Sequence, residues 1–144
     1  LVDATSEFVD TGRTLIYRAA VGASRKGEPV VVFDRYVQVT DIRWLPDGSG
    51  FVVARQDDLL DEDINLYAFD LASRTLRTLT ELEGGFARRF SIGPDGSIAF
   101  ERVTGGSVHD LVTLPSDIWV MGPEGANARL VVRNAAFPAW NPAR

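Results

Sequence analysis

The densest run of potentially reactive groups in this chain is acidic. Five carboxylates occur within seven positions, namely Asp57, Asp58, Asp61, Glu62 and Asp63. Carboxylate oxygens are the ligands that calcium prefers, so a calcium ion is the cofactor that this loop could hold. The ligands would then be Asp57, Asp58, Asp61 and Asp63. The run lacks the spacing and glycine of an EF-hand loop, and Leu59-Leu60 interrupts it, so we interpret it as a solvated acidic loop without a metal. We expect Asp57, Asp58, Asp61 and Glu62 to contribute to the binding of a partner.

The single histidine, His109, adjoins Asp110 and lies close to Ser107. These are the residue types of a Ser/His/Asp triad, but triad members must converge in space, which neighbours in one loop rarely achieve. The sequence also contains no Gly-x-Ser-x-Gly motif. We therefore expect no catalytic centre in this chain, and we place His109 and Asp110 on a surface loop that contributes to binding.

Basic residues occur as the pair Arg88-Arg89 and again at Arg129 and Arg133. Guanidinium groups bind carboxylates well, so Arg88 and Arg89 could hold an acidic peptide or substrate. The alternative is that they form ion pairs at the surface or between neighbouring sheets. Both interpretations stay open at this point.

The overall composition excludes several classes of protein. A formal net charge of −5 argues against nucleic acid as the main partner, because phosphate binding needs a concentrated basic face. No apolar run approaches the roughly 18 residues that suggest a membrane span, so we expect no membrane insertion. Cysteine is absent, which removes disulfides and thiolate chemistry. The first residues show no signal peptide, so the sequence leaves the compartment unknown.

A turn motif repeats along the chain. Trp44-Leu45-Pro46-Asp47-Gly48 recurs as Gly93-Pro94-Asp95-Gly96, and its opening recurs as Trp140-Asn141-Pro142. Successive prolines are 48 positions apart, and Phe8–Gly12 is a worn copy. Proline presets φ, aspartate can bond the nearby backbone and glycine accepts positive φ, so the motif predicts a tight turn. We interpret Trp44 and Trp140, which occupy equivalent places in the repeat, as packing residues.

Short apolar runs follow each copy of the turn and predict β-strands. They are rich in β-branched and aromatic residues, and Gly, Pro, Asp or Asn bound them. The runs are 15–17, 30–34 and 36–40 in the first unit, 51–53, 66–70 and 76–80 in the second, and 98–100, 118–121 and 129–132 in the third. We predict an all-β fold of β-propeller blades, each a four-stranded antiparallel sheet. The blades span 1–40, 41–84 and 85–134, and 135–144 begin a fourth.

Two segments resemble the WD40-like PD40 repeat of TolB-like propellers. They are Asp41–Val53, with its Trp-Leu-Pro-Asp-Gly turn, and Ser116–Val131, with Asp-Ile-Trp-Val-Met and a later Arg-Leu-Val. The resemblance covers 41–144 well and 1–40 loosely. It implies a non-catalytic scaffold that binds a protein or peptide, and an exported or periplasmic location. The same repeat occurs in the propellers of prolyl-oligopeptidase-like serine peptidases, so a propeller fragment that lacks its catalytic domain is the alternative.

Propellers close with roughly four to eight blades, and three cannot surround a channel. We therefore expect this chain to belong to a larger propeller or to be completed by a homo-oligomer. Its end within a turn motif favours the larger propeller. The longer connections should share one end of the blades, and variable loops on a rigid scaffold are where binding usually resides. These connections are 18–28, 55–63, 81–86 and 101–116.

Overall fold

The computed structural model describes residues 2–9, 12–20, 22, 27–58, 63–107 and 114–141. The regular elements in these ranges are all β-strands. In chain order they are β1 (Val2–Val9), β2 (Arg13–Ala20), β3 (Pro29–Arg35), β4 (Gln38–Trp44), β5 (Gly50–Gln56), β6 (Asn65–Asp70), β7 (Thr75–Thr78), β8 (Gly85–Ile92), β9 (Ile98–Thr104), β10 (Asp117–Met121) and β11 (Arg129–Val132). In these ranges no helix is long and apolar enough to cross a membrane.

The strands form three antiparallel sheets in which each strand pairs with the next along the chain. The first sheet contains β1 to β3, the second β4 to β7, and the third β8 to β11. Short connections favour this arrangement, because antiparallel neighbours need only a tight turn between them. The predicted all-β fold is confirmed, and the second and third sheets have the predicted four strands.

One predicted strand lies in a different sheet from the one expected. Residues 36–40 were predicted to close the first unit, but β4 begins at Gln38 and pairs with β5. The predicted division between 40 and 41 therefore falls inside β4. The chain reverses at Tyr36, which has a φ of 72° and donates its N–H to the Gly12 carbonyl (3.0 Å). No Gly or Pro marks this reversal, so the turn signals did not reveal it.

The second sheet is buried on both faces. Side chains alternate along a strand, so successive residues of β5 face opposite neighbours. Phe51 and Val53 belong to an apolar cluster shared with the first sheet, whereas Val52 and Ala54 belong to a cluster shared with the third. All four are 0% exposed. The second sheet is thus the middle layer of three, and burying each of its larger side chains contributes about 1.5–3 kcal/mol.

The first strands of the sheets lie next to one another, with β4 in contact with both β1 and β8. A bridge between Ile64 and Phe86 also links the second sheet to the third, and Gly85 donates its N–H to Asp63 Oδ1 (3.1 Å). These contacts join the end of the sheets where β5 leads towards β6 and where β7 leads to β8. We call this the loop end; it comprises 55–58, 63–64, 79–85, 105–107, 114–116 and 133–136.

The two described Pro-Asp-Gly motifs form the same turn at the opposite end, which we call the turn end. Gly48 and Gly96 have φ values of 72° and 80°, which a residue with a β-carbon rarely adopts. Asp47 Oδ1 accepts the Ser49 N–H (2.9 Å), as Asp95 Oδ1 accepts the Ser97 N–H (3.0 Å). The third proline of the repeat, Pro142, lies outside the described residues.

Candidate functional site

A cavity of about 320 Å³ lies at the loop end of the third sheet. Strand β8 forms one wall, the segment before β10 forms another, and the segment after β11 closes the third side. The lining residues are Arg88, Arg89, Leu114, Pro115, Ser116, Asn134, Ala135, Ala136 and Phe137. Two of them, Arg88 and Arg89, are predicted binding residues.

A buried carboxylate organises this cavity. Glu101 on β9 is 0% exposed. Its neighbour Phe100 packs in the cluster shared with the second sheet, so alternation turns Glu101 away from that sheet. The carboxylate oxygens accept hydrogen bonds from Arg88 Nε (2.7 Å), Arg89 Nη1 (3.3 Å) and the Phe137 N–H (2.6 Å). The Ser116 hydroxyl lies 3.3 Å from the carboxylate but only 2.9 Å from the Ala135 carbonyl, its nearer acceptor. We call Arg88, Arg89 and Glu101 the arginine cluster.

A β-bulge explains how two consecutive arginines reach one carboxylate. In a regular strand, neighbouring side chains point to opposite faces. Here the pairing of β8 with β9 shifts between Arg88 and Phe90, so that Arg89 is the extra residue and adopts a φ of 39°. An extra residue re-aims its side chain, and such bulges are over-represented next to binding and active sites. The bulge therefore places both guanidinium groups on the same side of the sheet, beside Glu101.

Arg88 carries hydrogen-bonding capacity that the described part of the chain does not use. The residue is 7% exposed, and its Nη2 donates to the Leu114 carbonyl (2.9 Å). Its Nη1 is buried and has no hydrogen-bond partner among the described residues. A buried donor without an acceptor costs about 1–3 kcal/mol, and more when it is charged. The Glu101 carboxylate therefore has hydrogen-bond donors at both oxygens, whereas the Arg88 guanidinium still has one N–H group without an acceptor among the described residues.

Backbone strain concentrates around the same cavity. Six described residues other than glycine have positive φ, and three of them, Arg89 (39°), Asn134 (52°) and Phe137 (59°), line this one cavity. Asparagine tolerates this conformation, but arginine and phenylalanine rarely adopt it. Strained residues of this kind cluster at binding and active sites, where the surroundings hold them in place.

Phe137 forms an exposed aromatic rim. It is 72% exposed although it is a large apolar residue. Its backbone N–H is bound to Glu101, and the Arg89 guanidinium carbon lies 4.3 Å from its ring centroid. A cation over an aromatic face is attracted by about 0.5–1 kcal/mol at an exposed site. The rim therefore holds the more exposed guanidinium in place while leaving part of the ring open to solvent.

The predicted acidic loop is described only in part. Asp57 pairs with Arg55 and accepts a hydrogen bond from the Tyr67 hydroxyl (2.8 Å). Burial, followed by this bond to Asp57, raises the pKa of Tyr67. Asp63 binds the Gly85 N–H, as described above, and Asp58 is half-buried. Among the described residues, no three His, Cys, Asp or Glu side chains come close enough to hold a metal ion.

The remaining predicted binding residues fall elsewhere. Asp61, Glu62, His109 and Asp110 lie outside the described residues. The two equivalent tryptophans pack against neighbouring strands: Trp44 contacts Phe51 edge-on at 5.9 Å, and Trp140 Nε1 donates to the Ser91 carbonyl (3.2 Å).

Glu101 is the main site residue that the sequence analysis missed. A usable signal existed, because Glu101 directly continues the apolar run Ile98–Phe100, followed by Arg102, inside one predicted strand. A carboxylate in such a run needs a buried cationic partner. The sequence alone did not show that Arg88 and Arg89 would both supply it.

A second cavity, of about 390 Å³, lies at the turn end between the second and third sheets. Its polar groups bond one another: Asp47 with Ser49, Asp95 with Ser97, and Arg77 with Glu124 (2.9 Å). The cavity at the arginine cluster is the better candidate, because a buried charged donor beside it still lacks an acceptor. Comparison with protein families and with curated proteins finds no match to this chain.

Proposed function

We propose that this chain is part of a β-propeller that binds a protein or peptide through its loop end, without catalysing a reaction. The arrangement of the sheets supports the propeller. The second and third sheets are meanders whose first strands lie side by side, as in blades fanned about an axis. The first sheet runs the other way, because β3 ends at Arg35, beside Arg13, only three residues before β4 begins at the loop end, so connection 18–28 lies at the opposite end from the other long connections. The resemblance to PD40 repeats points the same way. A longer propeller or an oligomer would complete the ring.

The segment after β11 supports a further blade. Trp140 packs beside Gly93, near the end of β8, and its indole donates to the backbone there. The segment thus runs beside the first strand of the third sheet, where the first strand of a next blade would lie. Exposed Val131 and Val132, at 47% and 48%, mark the outer face that such a blade would cover.

The observation that carries the binding function is the cavity at the arginine cluster. It combines a buried cation, strained backbone and an exposed aromatic ring at the loop end. Binding suits this chemistry better than acid–base catalysis, because Arg88, Arg89 and the Phe137 N–H already occupy the Glu101 oxygens. A general base would instead need a free lone pair directed at its substrate.

A displayed peptide library tests the proposal. We expect selection on the full chain to enrich related peptides, and titration of the isotope-labelled chain with one of them to shift backbone amide signals at the loop end. Gly85, Ser116 and Ala135 report on that end, whereas Gly48 and Gly96 report on the turn end and serve as internal controls. Failure to enrich any peptide, or shifts confined to the turn end, would refute the proposal.

A further inference from the structure

We infer that the cavity at the arginine cluster binds a peptide carboxylate, supplied either by an acidic side chain or by a chain terminus. This inference rests on the proposed function, since it names the chemical group that the loop end recognises. On this inference, Arg88 and Arg89 bind the carboxylate of the ligand in addition to that of Glu101.

The charges in the cluster leave a positive excess. Two guanidinium groups face one carboxylate, Glu101. Arg88 is almost fully buried, with 9% of its side chain exposed, whereas 36% of the Arg89 side chain is exposed. A buried charge is costly unless it is paired, so one further negative charge would complete the cluster. The exposed part of Arg89 gives a ligand access from solvent.

The unused donors match a planar acceptor. Arg88 already gives Nε to Glu101 and Nη2 to the Leu114 carbonyl, while Nη1 has no acceptor among the described residues. Arginine binds carboxylates through parallel N–H donors in a fixed plane. A carboxylate that binds the exposed part of Arg89 would also satisfy this donor if the cavity lining shifts enough to open Arg88 Nη1. Because this site needs one charge, a monoanion fits it better than a doubly charged phosphate.

The cavity walls suit the carbon atoms that accompany a peptide carboxylate. Leu114, Pro115, Ala135 and Ala136 supply apolar surface, and Phe137 supplies an open ring. A volume of about 320 Å³ lies at the lower end of the usual range for ligand sites, roughly 300–1,000 Å³. It has room for one side chain or one terminal residue. The site would therefore read a single residue of a longer peptide that crosses the loop end.

Three matched tripeptides test the inference by titration of the full chain, with the Arg88 and Arg89 Nε–H signals as the readout. Acetyl-Ala-Glu-Ala-amide carries only a side-chain carboxylate, acetyl-Ala-Gln-Ala with a free terminus carries only a terminal one, and acetyl-Ala-Gln-Ala-amide carries neither. We expect at least one acid to bind about tenfold more tightly than the neutral peptide, because hydrogen bonds to charged groups are strong. The tighter acid identifies the source.

Substitutions locate the binding. Arg89→Gln should weaken binding of the preferred acid about tenfold. Arg89→Lys should retain part of the affinity, because lysine keeps the positive charge but lacks the paired N–H donors of the guanidinium group. Arg77→Gln is the matched control, since it removes an arginine paired with Glu124 at the turn end and should change nothing. If Arg89→Gln does not fold, as judged by circular dichroism, the three peptides on the unmodified chain decide the question.

The outcomes separate this inference from the proposed function. Equal binding of all three peptides, equal weakening by Arg77→Gln, or tighter binding of inorganic phosphate than of either acid would each overturn the carboxylate assignment. If library peptides bind the loop end but Arg89→Gln leaves their affinity unchanged, the proposed function stands and this inference fails. If no peptide of either kind binds, both fail.

Discussion

The second and third sheets share a topology but use one equivalent position in opposite ways. Counted from the Pro-Asp-Gly turn, the fourth residue pair between the first two strands is Asp41 with Ala54 in the second sheet and Arg88 with Glu101 in the third. Both Ala54 and Glu101 are 0% exposed. The same place in the fold therefore accepts an alanine in one sheet and a charged residue in the other.

What covers each position explains the difference. Ala54 packs in the apolar cluster between the second and third sheets. Glu101 is covered instead by the segment after β11, and it binds the Phe137 N–H. A whole sheet needs a smooth apolar face, whereas an extended segment leaves space for a cavity and a polar network. The buried charges of the third sheet are therefore explained by the cavity beside them, since the second sheet has the same topology without them.

Removing the carboxylate should have the largest effect on stability. Glu101→Ala copies the residue of the second sheet but leaves Arg88 buried without its partner, so we expect a loss of about 3–5 kcal/mol in the free energy of unfolding. The double variant Glu101→Ala/Arg88→Leu removes both charges and should recover most of that loss. Urea denaturation measures both values. A double variant as unstable as the single one would show that the ion pair itself stabilises the third sheet.

A smaller difference is expected at the residues that follow the two turns. Gly50 and Ser97 each directly precede the first residue pair of their sheet, but a β-carbon on Gly50 would lie 1.9 Å from the Phe69 carbonyl oxygen. Gly50→Ala should therefore cost about 1–3 kcal/mol through displacement of the backbone. Ser97→Ala should cost less, because it loses only an exposed hydrogen bond. Gly27→Ala, whose new carbon would lie 3.8 Å from its nearest atom, is the control and should be close to neutral.

The smallest effects concern the aspartates of the two turns, where the sheets should behave alike. Hydrogen bonds from the backbone and side chain of Ser49 lower the pKa of Asp47, and those of Ser97 lower the pKa of Asp95. Both folded pKa values lie below the usual 3.8. The stability that these groups contribute is therefore present above the unfolded pKa and lost as pH falls through the folded one.

Carboxyl carbon signals recorded against pH measure these pKa values. Ser49→Ala and Ser97→Ala should each raise the pKa of the aspartate in the same turn part of the way, because the backbone donor remains. The aspartate of the other turn is the control. If only one serine has this effect, the two turns are less alike than their geometry indicates.

The strands were predictable because their causes are local. Alternating β-branched and aromatic residues indicated the runs, and Pro46 and Pro94 marked the two turns. The reversal at Tyr36 was not predictable, because it depends on a bond to Gly12, which is adjacent in the sheet but distant in the sequence.

The arginine pair could be identified as a binding candidate, but not the arrangement around it. Which neighbour Arg89 would bind depended on the bulge, and the bulge depends on how β8 pairs with β9. The role of Glu101 depended in turn on the segment after β11 crossing over it. Contacts between residues that are far apart in the sequence cannot be inferred from the local residue pattern around either of them.

The double-sided burial of the middle layer has a consequence for how the chain comes apart. Because β5 shares one face with each flanking layer, one of its faces stays covered until both layers have separated from it. Stability in such a stack resides in the couplings between neighbouring layers, as it does in repeat proteins. Unfolding should then begin at the outer layers and move inwards, so that the amide protons of Phe51 to Ala54 exchange with deuterium only when the whole stack opens.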